Sequence, residues 1–100
     1  MNEQKAEGMI GLAVRARQAV AGSDACRIMV RTGKCGVMLM DEETGASSRA
    51  KAEELCRKTK TPLVILPAGL IEKATGMSNR VMAIRTGSFA EQILTIAGVQ

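Results

Sequence analysis

Three places in this 100-residue chain bring together residues able to do chemistry. The first is Gly22-Ser23-Asp24 followed by Arg27 and Arg31. A glycine that permits a tight turn, then a helix start, presents unpaired backbone N–H groups and a partial positive charge. Such a tip accepts a phosphate or a base edge. Arg27 and Arg31 stand at i, i+4 and extend the tip into a basic stripe. The bland alternative is that Asp24 caps the helix and pairs with Arg27 at i, i+3, leaving the stripe as a solvated face. The second place is Gly76-Met77-Ser78-Asn79-Arg80, which reads as a contact loop with an exposed Met and a terminal Arg, or simply as a helix stop ahead of a strand. The third is Asp41-Glu42-Glu43. Carboxylates at a strand end can hold Mg²⁺ or exchange protons. No P-loop, Gly-x-Gly-x-x-Gly or nucleophile motif accompanies them, so the expected role is a solvated loop leading into a helix.

Composition removes other chemistries. The chain has no His, Trp or Tyr, and Phe89 is its single ring. Without His there is no imidazole base and no imidazole metal ligand. Without a set of rings there is no platform on which unpaired bases could stack. Cys26, Cys35 and Cys56 are spaced nine and twenty-one apart, which is not zinc-ligand spacing. Neither a metal nor a cofactor is expected. An odd thiol count and no recognisable secretory leader point to reduced cysteines in the cytoplasm. The longest uncharged run, Thr61 to Ile71, holds two prolines and is too short to span a bilayer, so no membrane partner is expected.

The formal charge is +4, from 14 Lys and Arg against 10 Asp and Glu. Residues 1–34 carry six basic and three acidic side chains, whereas residues 35–60 carry five of each. The lean toward polyanions therefore falls on the N-terminal third.

The elements that must position these groups alternate between helix and strand. Ala6, Met9, Ile10, Ala13 and Val14 have helical spacing within residues 3–17. After a short stretch from Ala19 to Ala21, Cys26, Met29, Val30 and Gly33 resume it. The unbroken apolar runs 37–40, 63–66 and 81–84 suit strands covered on both faces. Residues 47–59 read as a charged helix with i, i+4 pairs Arg49–Glu53, Glu53–Arg57 and Glu54–Lys58. A short helix over 68–75 stops at Gly76. Ser88 to Glu91 has capping-box spacing ahead of Ile93, Leu94 and Ile96. The seven Met residues are expected to fill the core in place of rings. One domain over residues 1–100 with a central sheet and helices on both faces follows.

The order and local sequence of these segments resemble a known family. The matching runs are Ile10-Gly11-Leu12-Ala13-Val14-Arg15-Ala16, Val20-Ala21-Gly22 with Gly33 closing the next helix, Asp41-Glu42-Glu43, Ile71-Glu72-Lys73-Ala74-Thr75-Gly76, and Gly87-Ser88-Phe89-Ala90. Over about residues 8–95 the chain is similar to the kink-turn-binding ribosomal-protein family (ribosomal proteins L-seven-Ae and L-thirty-e), and within it to the small bacterial YlxQ-like branch. The resemblance implies an α/β fold, a three-layer α/β/α sandwich with a mixed four-stranded sheet. It implies a non-catalytic, ribosome-associated monomer whose partner is structured RNA, either ribosomal RNA or a kink-turn. Family members set the tip of the second helix against sheared G·A pairs and cover a protruding nucleotide with a partly apolar loop. Carried onto this chain, the RNA-contacting residues are Arg15, Arg17, Gln18, Gly22, Ser23, Asp24, Arg27, Arg31, Met77, Ser78, Asn79 and Arg80. Kink-turn binders carry Asn-Glu-x-x-Lys at the tip, where this chain has Asp24-Ala25-Cys26-Arg27-Ile28. The bacterial branch usually has Gly-Lys where this chain has Arg17-Gln18. Those departures leave open a second outcome, a protein-interaction module of the same fold without specific RNA recognition.

Overall fold

The computed structural model describes residues 1–99. Nine elements follow one another: α1 (Glu3–Arg15), β1 (Ala19–Ala21), α2 (Ser23–Arg31), β2 (Cys35–Asp41), α3 (Ala46–Thr59), β3 (Leu63–Leu66), α4 (Leu70–Thr75), β4 (Val81–Arg85) and α5 (Ser88–Ile96). The strand order is β1-β4-β2-β3. β4 pairs antiparallel with both β1 and β2, and β3 lies parallel to β2, so the sheet is mixed. The β2-α3-β3 crossover is what makes the last pair parallel.

The apolar runs are covered on both faces, as their lack of alternation requires. On one face α1, α4 and α5 bury Ile10, Ile71 and Ile93 against Val37, Leu39, Leu66, Met82 and Ile84. On the other face α2 and α3 bury Cys26, Met29, Val30, Ala52 and Cys56 against Met38, Met40, Val81 and Ala83. Odd and even residues of β2 thus feed separate cores, as the two-residue period of a strand dictates. The result is the three-layer α/β/α sandwich. Met29, Met38, Met40 and Met82 fill these cores, while Phe89 packs half-buried at the edge of the first.

The local rules fix most of the boundaries. Asn2 caps α1 by accepting from the Lys5 amide at 3.1 Å. Arg17, at φ 59°, leaves the helix earlier than the apolar spacing implied. Gly76 ends α4 in the left-handed conformation, at φ 73°. The last helix departs from expectation. Its N-cap is Gly87 at φ 149°, and no side chain caps it. Ser88 therefore lies inside the first turn and the capping box does not form. In α3, Arg49–Glu53 closes at 3.7 Å and Glu54–Lys58 at 3.3 Å. With Glu53 paired to Arg49, the expected Glu53–Arg57 pair is not among the ion pairs of the described residues.

Candidate nucleic-acid interface

α2 starts without a side-chain cap. Gly22 is its N-cap at φ 91°, ψ 151°, a backbone that side-chain-bearing residues rarely adopt. The Gly22 amide donates to Val81 O at 3.0 Å, which ties the tip to the start of β4. The Cys26 amide donates to Gly22 O, so the first intrahelical bond spans the amides of Ser23, Asp24 and Ala25 and leaves them without helical partners. Asp24 does not cap. Its carboxylate instead accepts from Arg27 at 2.9 Å on the exposed face of the helix. The bland alternative is half realised: the ion pair forms and the cap does not.

The segment 76–80 comes back to this tip. A Cβ on Gly22 would lie 3.9 Å from Asn79 Oδ1. Arg80 is anchored at the other side, its guanidinium donating to Glu43 O at 2.9 Å and its carbonyl accepting from the Asp41 amide at 2.8 Å. Gly22, Ser23, Arg27, Arg31, Ser78, Asn79 and Arg80 all line one groove of about 920 Å³ between α2 and α3. The two segments singled out in the sequence thus form a single surface. Met77 is 42% exposed and does not line the groove.

Arg15, Arg17 and Gln18 fall elsewhere. Arg15 ends α1, Arg17 and Gln18 lie in the turn between α1 and β1, and Gln18 O accepts from the Arg85 amide at the far end of β4. Four residues of extended chain separate Gln18 from Gly22, roughly 13 Å. None of the three lines the groove. Gln18 closes the turn, its amide donating to Ala13 O at 2.9 Å.

Sequence reasoning missed the opposite wall. Thr44, Ser48, Lys51, Leu55 and Lys58 come from α3 and the turn before it. The signal was present: Lys51, Leu55 and Lys58 follow i, i+4, i+7, one face of a helix. The neutral local charge of this segment concealed it.

Asp41-Glu42-Glu43 is a clamp rather than a solvated loop. Asp41 is only 7% exposed. Its carboxylate accepts from the Glu43 amide at 2.7 Å and the Gly69 amide at 2.9 Å, while Glu42 accepts from the Ala68 amide at 3.0 Å. The clamp joins the β2–α3 turn to the start of α4. Burial pushes the Asp41 carboxyl up, but the Gly69 and Glu43 amides and the nearby Arg80 charge outweigh it, so the group titrates below its ordinary value of 3.8. A carboxyl with a depressed folded value adds stability above its unfolded value, and that stability is lost as pH falls through the folded value. Asp41→Asn should therefore cost about 2 kcal/mol at neutral pH. It should also flatten the fall in stability below pH 3.8 relative to wild type. Urea titrations across that range check both, and an unchanged acid limb would show that Asp41 is not the titrating clamp.

The thiols are unsuited to nucleophilic chemistry. Burial pushes Cys26 up to about 12 and Cys35 up to about 11, and it also raises Cys56. A thiolate, not a thiol, is the nucleophile.

What the fold defines is a class: the α/β/α sandwich built on a β1-β4-β2-β3 mixed sheet, with its second helix tip and its fourth-strand loop side by side. No protein-family profile and no curated protein sequence matches the chain. Solved structures match over nearly its whole length. A Bacillus halodurans protein of unknown function superposes with a TM-score of 0.88 at 21% identity, covering 94% of this chain and 97% of that one. A Giardia lamblia 15.5kD RNA-binding protein superposes with a TM-score of 0.78 at 10% identity, covering 98% of this chain and 89% of that one. At these identities the shared feature is the fold.

Proposed function

We propose that the protein binds structured RNA without catalysing a reaction on it, through the tip of α2 and the 76–80 loop. The observation that carries this reading is the uncapped α2 N-terminus held beside Asn79 at the head of a basic groove. Free amides supply donors for base edges or phosphates, and Arg27, Arg31 and Arg80 supply charge. The reading is supported by the fold shared with the Giardia RNA-binding protein. It also needs no aromatic platform, which suits a chain whose one ring, Phe89, packs half-buried at the core. We further propose a kink-turn-like RNA as the target and a cytoplasmic, ribosome-associated setting.

Calorimetric titration with a kink-turn RNA and a matched straight duplex in Mg²⁺ tests the proposal. Preference for the kinked RNA by about tenfold or more is expected, the scale of reading a single base edge. Equal, weak binding to both rejects kink-turn specificity.

One observation favours a second reading, a protein-interaction module. Ile28, on the exposed side of α2, is 64% exposed, and Met77 adds a second exposed apolar side chain. Affinity capture with and without nuclease separates the readings, since partners retained by Ile28 after RNA digestion, and lost in Ile28→Lys, belong to the second.

A further inference from the structure

The groove continues well past the helix tip. Its walls are α2 and α3, and its floor is Met38, Met40 and Val81 from the sheet. Both helices run antiparallel to β2, which follows one and precedes the other, so their N-terminal ends lie together at the loop end of the groove. The far half is lined by Arg31 from α2 and by Leu55, Lys58 and Thr59 from α3, with Lys51 between.

Charge in the groove is unlike charge in the rest of the chain. Arg27, Arg31, Lys51, Lys58 and Arg80 line it against one carboxylate, Glu54. That excess equals the formal +4 of the whole protein, so the remaining surface is neutral on balance. Glu54 is taken by Lys58 at 3.3 Å and Arg27 by Asp24 at 2.9 Å. Among the described residues, Arg31 and Lys51 have no carboxylate within ion-pair distance. Two unpaired cations thus stand on opposite walls of the groove. The occupant they suit has an anionic end and a flat apolar body.

We propose that the α2–α3 groove is a nucleotide site: the phosphate is held by Arg31, Lys51 and Lys58, and the base rests against Leu55 on the α3 wall. A space of about 920 Å³ is larger than a bare phosphate requires and lies within the range of small-ligand pockets. Leu55, half-buried on the α3 wall, gives the base an apolar partner in a groove lined by no aromatic side chain. Ser48 adds a hydroxyl-bearing side chain to the α3 wall. An extended acidic peptide fits less well, because α2 has nine residues and spans only about 13 Å. The proposal shares only Arg31 with the RNA reading and does not rest on it, since its lysines lie on α3.

The test is NMR of the full chain with labelled Met methyls. Adenosine 5′-monophosphate, adenosine, inorganic phosphate, a five-residue adenylate oligonucleotide and a hexaglutamate peptide are added in separate titrations. The nucleotide is expected to shift the Met38 and Met40 methyls saturably. Lys51→Ala with Lys58→Ala should weaken it about tenfold or more, the scale of lost charged hydrogen bonds, while the Met82 methyl in the other core stays in place and reports an intact fold. Saturation by the free monophosphate identifies a free nucleotide as occupant, and saturation by the oligonucleotide alone identifies a strand segment. Equal shifts from inorganic phosphate or hexaglutamate overturn the proposal, as does binding unchanged by the two substitutions. A double variant that loses the nucleotide but keeps structured RNA separates the groove from the helix-tip surface.

Discussion

Gly36→Ala is expected to destabilise the protein by about 3 kcal/mol, the upper range for inserting a methyl group into a packed site. A Cβ at this position would stand 2.6 Å from Ala90 Cβ and 2.9 Å from Thr86 Cα. The second neighbour is backbone and cannot swing aside. Gly36 lies where the β2–β4 register shifts, between Cys35 and Val37, and the first turn of α5 is seated directly on it. The urea midpoint should fall with an unchanged denaturant slope, because the native surface is not otherwise altered. Adding Ala90→Gly should restore only part of the loss, since it relieves the 2.6 Å contact and leaves the Thr86 one. Gly8→Ala is the contrast. Gly8 is exposed within α1 with nothing within 4 Å of its would-be Cβ, so Ala there should stabilise by about 0.5–1 kcal/mol. If the two glycines respond alike, close packing at Gly36 is not what holds α5 on the sheet.

Gly36 also shows where the sequence was silent. The strand was legible as an apolar run at 37–40, yet β2 extends from Cys35 to Asp41. Gly36 reads as a breaker and Asp41 as a loop residue, because the contacts that hold them, with Ala90 and with the Gly69 amide, come from 54 and 28 positions away. Long-range pairing overrides local preference at both ends of the strand. Helices were more legible, since 3.6-residue spacing is local. Their starts were less so: α2, α3, α4 and α5 all begin at glycines with no side-chain cap, so the Ser and Asp signals at Ser88 and Asp24 misplace the cap.

The candidate site was half legible for the same reason. A glycine before a helix and a loop after another can be read along the chain. That Gly22 and Asn79 meet requires β1 to pair with β4, which is a fact of topology. Counting charge in sequence windows placed the basic excess in the first third. In space it gathers in one groove, because α3, with as many acids as bases around it, turns Lys51 and Lys58 to one side. The number of charges was given by composition, and their direction was set by helical phase.

The α2 tip should respond to its own charges in opposite directions. Arg27→Ala with Arg31→Ala is expected to weaken structured-RNA binding by about a hundredfold, roughly tenfold per charged contact. It should also lower the slope of log affinity against log salt by about 1.4–1.8, since each phosphate contact contributes ~0.7–0.9. Both side chains are exposed, so folding should be almost unaffected. Asp24→Asn should do the reverse. It removes a negative charge beside the free amides and releases Arg27 from a 2.9 Å pair. An exposed pair of this kind contributes about 0–1 kcal/mol, so stability changes little while RNA binding tightens about threefold. The two signs together discriminate between explanations. A nonspecific basic surface would lose affinity with the arginines but would hardly register a single carboxylate at one helix tip. If Asp24→Asn weakens RNA binding, the carboxylate is itself a contact and the tip reads a donor. If the double arginine variant keeps its salt slope, RNA does not touch α2 and the helix-tip interface is wrong.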